Sequence, residues 1–102
     1  EMDWRPETPV EADDVRQSIA DQAPLSRNPA SRLAFVDDGA NAVMFFADGT
    51  CFDCDAETAD LARQLCGEDA LVLDTELASV DAAIDLLMQL CNMGCIAFDG
   101  ED

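Results

Sequence analysis

Four of the five cysteines fall in two close pairs, Cys51-x2-Cys54 and Cys91-x3-Cys95. Zinc knuckles and thiol redox sites use such spacings, because two thiolates must converge on one ion or one bond. In a β-strand, however, residues three apart point to opposite faces, so Cys51 and Cys54 would diverge. The Asp48-Gly49 turn also precedes the pair, whereas a zinc knuckle holds its thiolates at the rim of a turn. A turn at Gly94 would bring Cys91 and Cys95 together, and a four-cysteine site of Cys51, Cys54, Cys91 and Cys95 stays open as an alternative. The interval from Cys54 to Cys91 is longer than the roughly 15–20 residues of a zinc ribbon. Cys66 and Cys91 fall on apolar helical faces, where cysteine packs as a small hydrophobe. Core packing is the preferred reading; a disulfide framework fits less well with 5 cysteines and a cytosolic composition.

The chain has no histidine, which removes imidazole acid-base chemistry, histidine triads and histidine-carboxylate iron sites from its own repertoire. Carboxylate pairs such as Asp13-Asp14 and Asp37-Asp38 are expected wherever acidic residues are this abundant, and read as helix starts and turns rather than a glycosidase pair. Glycine motifs for phosphate or dinucleotide binding are missing. On its own the chain is not expected to be an enzyme.

Among 102 residues, 23 are acidic and 5 basic, a formal net charge of −18. Nucleic acid is a poor partner for such a surface, because phosphate binding requires clustered Lys and Arg, and Arg5, Arg16, Arg27, Arg32 and Arg63 are scattered. A basic protein is the better match, attracted over the ~8 Å screening length of physiological salt. Solubility or a halotolerant lineage is the alternative account of the same charge. The candidate partner-binding carboxylates are Asp37, Asp38, Asp81 and Asp85. No apolar run approaches the roughly 18 residues of a membrane span, and the N-terminus lacks a secretory pattern, making the cytoplasm the default. A start at Glu1 with Pro6 and Pro9 close behind suggests a piece of a longer protein, with residues 1–10 as a linker and 11–102 as one domain.

The elements that would position these residues alternate between helix and strand. Thr8, Pro9 and Glu11 suggest a capping box opening a helix over 9–22, with Ala12, Val15, Ile19 and Ala23 as a thin apolar stripe. "APLSRNP" should stop it. A strand over 32–36 then leads through an Asp38-Gly39 turn to "NAVMFFADGTCFDC", a hairpin around Asp48-Gly49. A second helix is expected between an Asp55 N-cap and Gly67 at C′, with Leu61, Ala62, Leu65 and Cys66 on its apolar face. "ALVL" at 70–73 is a strand or a single helical turn. Val80, Ile84, Leu87, Met88 and Cys91 define a third helix over 79–92, stopped by Gly94 and followed by a strand over 95–98. The class is α+β: about three helices, short antiparallel strands and a β-hairpin.

The succession "LSRNPASRLAF", "FFADGTCFDC" and "LLMQLCNMGCIAFDG" resembles the C-terminal region of the bacterial cupin (JmjC-type) ribosomal oxygenases. Its Ser31-Arg32 strand, the Phe46-to-Gly49 hairpin, and the leucine-rich helix, glycine and aromatic strand from Leu86 to Phe98 occur in that family's order.

This resemblance implies a small winged-helix-like accessory domain whose parent is a 2-oxoglutarate and Fe(II)-dependent oxygenase. Such an enzyme hydroxylates a ribosomal protein, an arginine in the best-known members, and works as a homo-oligomer. Its iron ligands belong to the cupin barrel outside this chain, so no catalytic, cofactor or metal residue is carried over. The domain's expected partners are the parent cupin domain and a basic ribosomal protein. A winged helix ordinarily suggests DNA binding, but the third helix presents Asp81, Asp85 and Gln89 and no cation. The competing readings are a free-standing acidic interaction adaptor and a small cysteine-based zinc or redox module.

Overall fold

The computed structural model describes residues 8–37, 39, 42–55, 57–67 and 70–98. The expected Asp38-Gly39 turn, most of the proline-containing linker and the C-terminal tail lie wholly or partly outside them. In chain order the elements are α1 (Ala12–Ala20), β1 (Leu25–Arg27), β2 (Leu33–Asp37), β3 (Ala42–Ala47), β4 (Thr50–Asp55), α2 (Glu57–Gly67), β5 (Ala70–Leu71), a 3₁₀ helix (Thr75–Ser79), α3 (Asp81–Met93) and β6 (Ile96–Phe98).

The first helix begins later than the Thr8-Pro9 signal suggests. Glu11, in extended conformation, is the N-cap, and its amide donates to Asp14 Oδ2 at 3.1 Å while the Glu11 side chain accepts from the Asp14 backbone. This reciprocal pair satisfies two otherwise orphaned amides, so Glu11-Asp14 replaces the expected Thr8-Glu11 box. Only Val15 and Ile19 of the helix are buried, as befits a helix lying on the core. The preceding segment is held from afar: Asn92 accepts from Val10 N at 2.7 Å and donates to Val10 O at 3.1 Å.

Among the described residues, six strands form two antiparallel three-stranded sheets, ordered β5-β1-β6 and β2-β3-β4. The first contains an element that local signals hide. Pro24 and Pro29 mark "APLSRNP" as a breaker, yet both stand outside Leu25–Arg27, so neither removes a ladder donor from this strand. Leu25, fully buried, faces Leu71 on one side and Phe98 on the other.

The second sheet is built around the Asp48-Gly49 turn, where φ is +49° and +91°. Two successive positive φ values give the tight-turn twist that matches the flanking strands. Register then places Phe35, Phe45 and Phe52 in one cross-strand row, with the Phe45 and Phe52 rings 6.1 Å apart. α2 packs across this side of the sheet, burying Val43, Phe45, Ala47 and Cys54 against the core that also holds Leu61, Ala62 and Leu65. Nothing lies within 4 Å of a Cβ added at Gly49, so Gly49→Ala is expected to cost about 1–2 kcal/mol from backbone conformation alone. Thermal unfolding of this variant checks the value; an unchanged midpoint would rule out the positive-φ turn.

Asp55 closes β4, and α2 starts beyond it: Thr58 Oγ1 accepts from Asp55 N at 2.9 Å and donates to Asp55 O at 2.6 Å. Gly67 is the last residue of α2 rather than its left-handed C′ residue. Arg27 supplies the stop instead, donating to the Leu65 and Cys66 carbonyls at 3.2 and 3.1 Å, where a cation also meets the negative end of the helix dipole.

The expected third helix splits in two. Asp74 accepts from Glu76 N at 3.0 Å and caps the 3₁₀ turn, and Val80 is extended before α3 starts at Asp81. From there Ala83, Ile84, Leu86, Leu87, Leu90 and Cys91 are buried. Gly94, at φ +83°, ends the helix with Gly94 N on Cys91 O and Cys95 N on Leu90 O. That pair of bonds is the glycine-dependent Schellman stop.

Candidate interaction surface

Asp37 and Asp81, two expected partner contacts, are already engaged within the chain. Arg63 donates to Asp37 at 2.9 Å and to Asp60 at 3.2 Å, tying α2 to β2. Arg16 holds Asp81 at 3.0 Å and Asp13 at 3.5 Å, tying α1 to α3. The Asp81 side chain is 91% exposed, so such a pair contributes about 0–1 kcal/mol and leaves the carboxylate accessible. Asp85 is exposed on α3 and accepts from Gln89 Nε2 at 3.0 Å. Asp38 lies outside the described residues. Asp37 therefore sits in a local group with Arg63 and Asp60, while Asp81 and Asp85 share the exposed face of α3 one turn apart.

A shallow groove of about 180 Å³ between β4 and α3 joins the expected partner contact Asp85 to Asp55, read from the sequence only as an N-cap, and to Asp53, which no sequence signal singled out. Asp53, Asp55 and Asp85 line it above Phe52 and Leu86, and none of the three forms an ion pair among the described residues. A second groove, about 350 Å³, runs between α2 and the 3₁₀ helix, with Leu61, Leu77 and Val80 below Asp60, Asp74 and Glu76. Both present carboxylates over apolar ground. The exposed face of α3 carries neutral Gln89 beside Asp81 and Asp85, two carboxylates that repel a phosphate backbone.

Strand alternation separates Cys51 from Cys54 as the sequence implies. Cys51 is exposed on β4, Cys54 is buried on its opposite side, and Cys91 and Cys95 are buried at the end of α3. No group of three or more potential metal ligands occurs among the described residues. Burial pushes the Cys91 thiol up to about 12 and the Cys95 thiol up to about 11, and raises Cys54 as well. A protonated, enclosed thiol is a poor nucleophile and a poor ligand. Cys51 is therefore expected to react first with an aromatic disulfide reagent at neutral pH, with Cys54, Cys91 and Cys95 labelled only on unfolding. Rapid native labelling of more than Cys51 and half-buried Cys66 would contradict this placement.

Asp48 was legible only as a turn residue, yet it joins three segments. Its amide donates to Arg32 O at 2.9 Å, and its Oδ1 accepts from Arg32 N at 2.7 Å. The Cys95 thiol donates to its Oδ2 at 3.4 Å. The Arg32 amide above all holds its carboxyl below the usual carboxylate range. Asn28 makes a parallel link, with Asn28 Nδ2 donating to Gly94 O at 2.9 Å.

With three helices, two small sheets and a hairpin, this is a winged-helix type of α+β domain. A model of the ROXA-like winged helix family matches residues 1–97, and the chain belongs to that family. No curated protein sequence matches it. Among solved structures it resembles YcfD, a ribosomal oxygenase from Escherichia coli, at 20% identity and a TM-score of 0.71 over 94% of this chain and 25% of that one. The same values hold for YcfD in complex with cobalt and 2-oxoglutarate. Another crystal structure of YcfD gives a TM-score of 0.65, again at 20% identity, over 93% and 25%. This chain thus spans about a quarter of the length of those structures, and the likeness establishes its fold.

An iron site of the two-histidine, one-carboxylate kind does not fit these residues, since the 102-residue chain contains no histidine.

Proposed function

We propose that this chain is the non-catalytic winged-helix accessory domain of a cytoplasmic 2-oxoglutarate and Fe(II)-dependent oxygenase that hydroxylates a ribosomal protein. The observation carrying this reading is the family match over residues 1–97. The ribosomal oxygenase character of YcfD, which contains a region of the same fold, supports it. Iron and 2-oxoglutarate would be held by the parent's cupin barrel. The domain assists that barrel or its homo-oligomer by packing, while its acidic surface steers a basic protein substrate. The −18 net charge favours such a substrate, because long-range attraction raises encounter rates and fades with salt. The acidic α3 face argues against nucleic acid as the partner.

Removal of the domain from the full-length protein tests both halves. Turnover of 2-oxoglutarate on a basic ribosomal protein should show a raised KM and a weaker salt dependence, with kcat nearly retained. Lost solubility or assembly, with unchanged KM in the folded fraction, would limit the domain to a structural role. A full-length protein that neither binds iron nor consumes 2-oxoglutarate would defeat the oxygenase assignment and favour the acidic adaptor.

A further inference from the structure

The hairpin sheet has a second side, which α2 does not cover. Because side chains alternate along each strand, the register that sends Phe35, Phe45 and Phe52 inward sends Ala34, Phe46 and Cys51 outward in one row, and Val36, Met44 and Asp53 in the next. Val36 is 56% exposed, more than any other large hydrophobic side chain described. Ala34 and Cys51 are exposed too, and Met44 and Phe46 are half-buried. This makes a continuous apolar face, where a solvated antiparallel sheet ordinarily carries polar side chains.

Its border is charged on one side. Asp53 and Asp55 point to the same outer side of β4, opposite Met44 and Ala42, and neither carboxylate forms an ion pair among the described residues. Two residues along a strand place them about 7 Å apart. At the other end Arg32 is set against Asp48, so the outer corner of β4 is the unneutralised one. A second copy of the chain is a poor occupant, because it brings the same −18 charge to the contact.

We infer that the outer face of the β2-β3-β4 sheet is a docking surface for an extended, cationic protein segment. Cations at alternate positions of that segment reach Asp53 and Asp55, and adjoining apolar side chains cover Val36, Met44 and Phe46. The inference deepens the basic-substrate reading and rests on it, since it assigns that substrate a surface.

The test uses the whole chain and a labelled peptide that carries arginine, then valine, at alternating positions with serine between them. Titration followed by amide chemical shifts should perturb β2, β3 and β4, and affinity should fall about tenfold between roughly 50 and 300 mM salt. Asp53→Asn with Asp55→Asn should weaken binding about fivefold and flatten that salt dependence. Asp13→Asn with Glu76→Gln removes equal charge elsewhere and should leave affinity nearly unchanged. Val36→Ser with Met44→Ser should weaken binding at both salt concentrations, and Val36→Ser alone repeats the effect at a position exposed enough to leave folding intact. Equal losses from the two acidic pairs, or none from Val36→Ser, would overturn this surface while sparing a basic partner. No salt-sensitive binding by any form would sink the basic-partner reading itself. A concentration-dependent dimer abolished by Val36→Ser would assign the face to self-association and overturn the proposal.

Discussion

Phe45→Ala is expected to lower the free energy of unfolding by about 3–5 kcal/mol, the range for truncating a fully buried phenylalanine in a core that collapses only partly. Phe45 has no exposed surface, occupies the middle strand of its sheet and stands beside Phe52. Its row is the contact between the hairpin and the common core, so the cavity would open where α2 meets the sheet. Domains of this size have about 5–15 kcal/mol to lose. The midpoint of thermal unfolding should therefore drop by on the order of 20 °C. Val36→Ala, on the outer side of the adjacent strand, should change stability by no more than about 0.5 kcal/mol. Chemical denaturation of both variants checks the pair. Similar losses from the two would mean that the sheet faces are assigned the wrong way round.

Asp48→Ala should cost about 2–3 kcal/mol, because two independent terms combine: placing alanine at φ +49° and removing the acceptor of the Arg32 amide. Asp48→Asn separates them. Asparagine tolerates the left-handed region and keeps an oxygen for Arg32 N, so it should lose less than about 1 kcal/mol at neutral pH. The remaining difference is the charge. Hydrogen bonding holds the folded Asp48 carboxyl below its ordinary value of 3.8, so its contribution is complete above that value and disappears as pH falls through the folded one. The gap between wild type and Asp48→Asn should accordingly be constant near neutrality and close in acid. A gap that widened in acid would reverse the sign of the shift and contradict the Arg32 contact. Because Asp48 is exposed, solvent screening keeps this charge effect small beside the backbone term.

These variants also mark how far the fold and the interaction surface can be read from the chain. The Asp48-Gly49 hairpin was legible because two adjacent residues carry the whole requirement for positive φ. The apolar stripe of α3 and its glycine stop were legible because they repeat within a few residues. The divergence of Cys51 and Cys54 followed from strand periodicity alone. Leu25–Arg27 was not legible: its strand state depends on β5 and β6, contributed from Ala70–Leu71 and Ile96–Phe98. The capping of the 3₁₀ turn by Asp74, and the break at Val80, were likewise hidden within one apolar period.

The surface divides in the same way. Sequence by itself determined that the domain is strongly acidic, that its third helix offers carboxylates in place of cations, and that it holds no histidine to ligate iron. Tertiary structure alone decided which carboxylates are engaged, since Asp37 meets Arg63 across 26 positions and Asp81 meets Arg16 across 65. It also decided that Asp53 and Asp55 border an apolar sheet face and that Asp48 reaches Cys95. Composition and short periods are properties of neighbouring residues, which a linear reading contains. Pairing between distant residues exists only once the chain has paid the entropy of closing the loops between them.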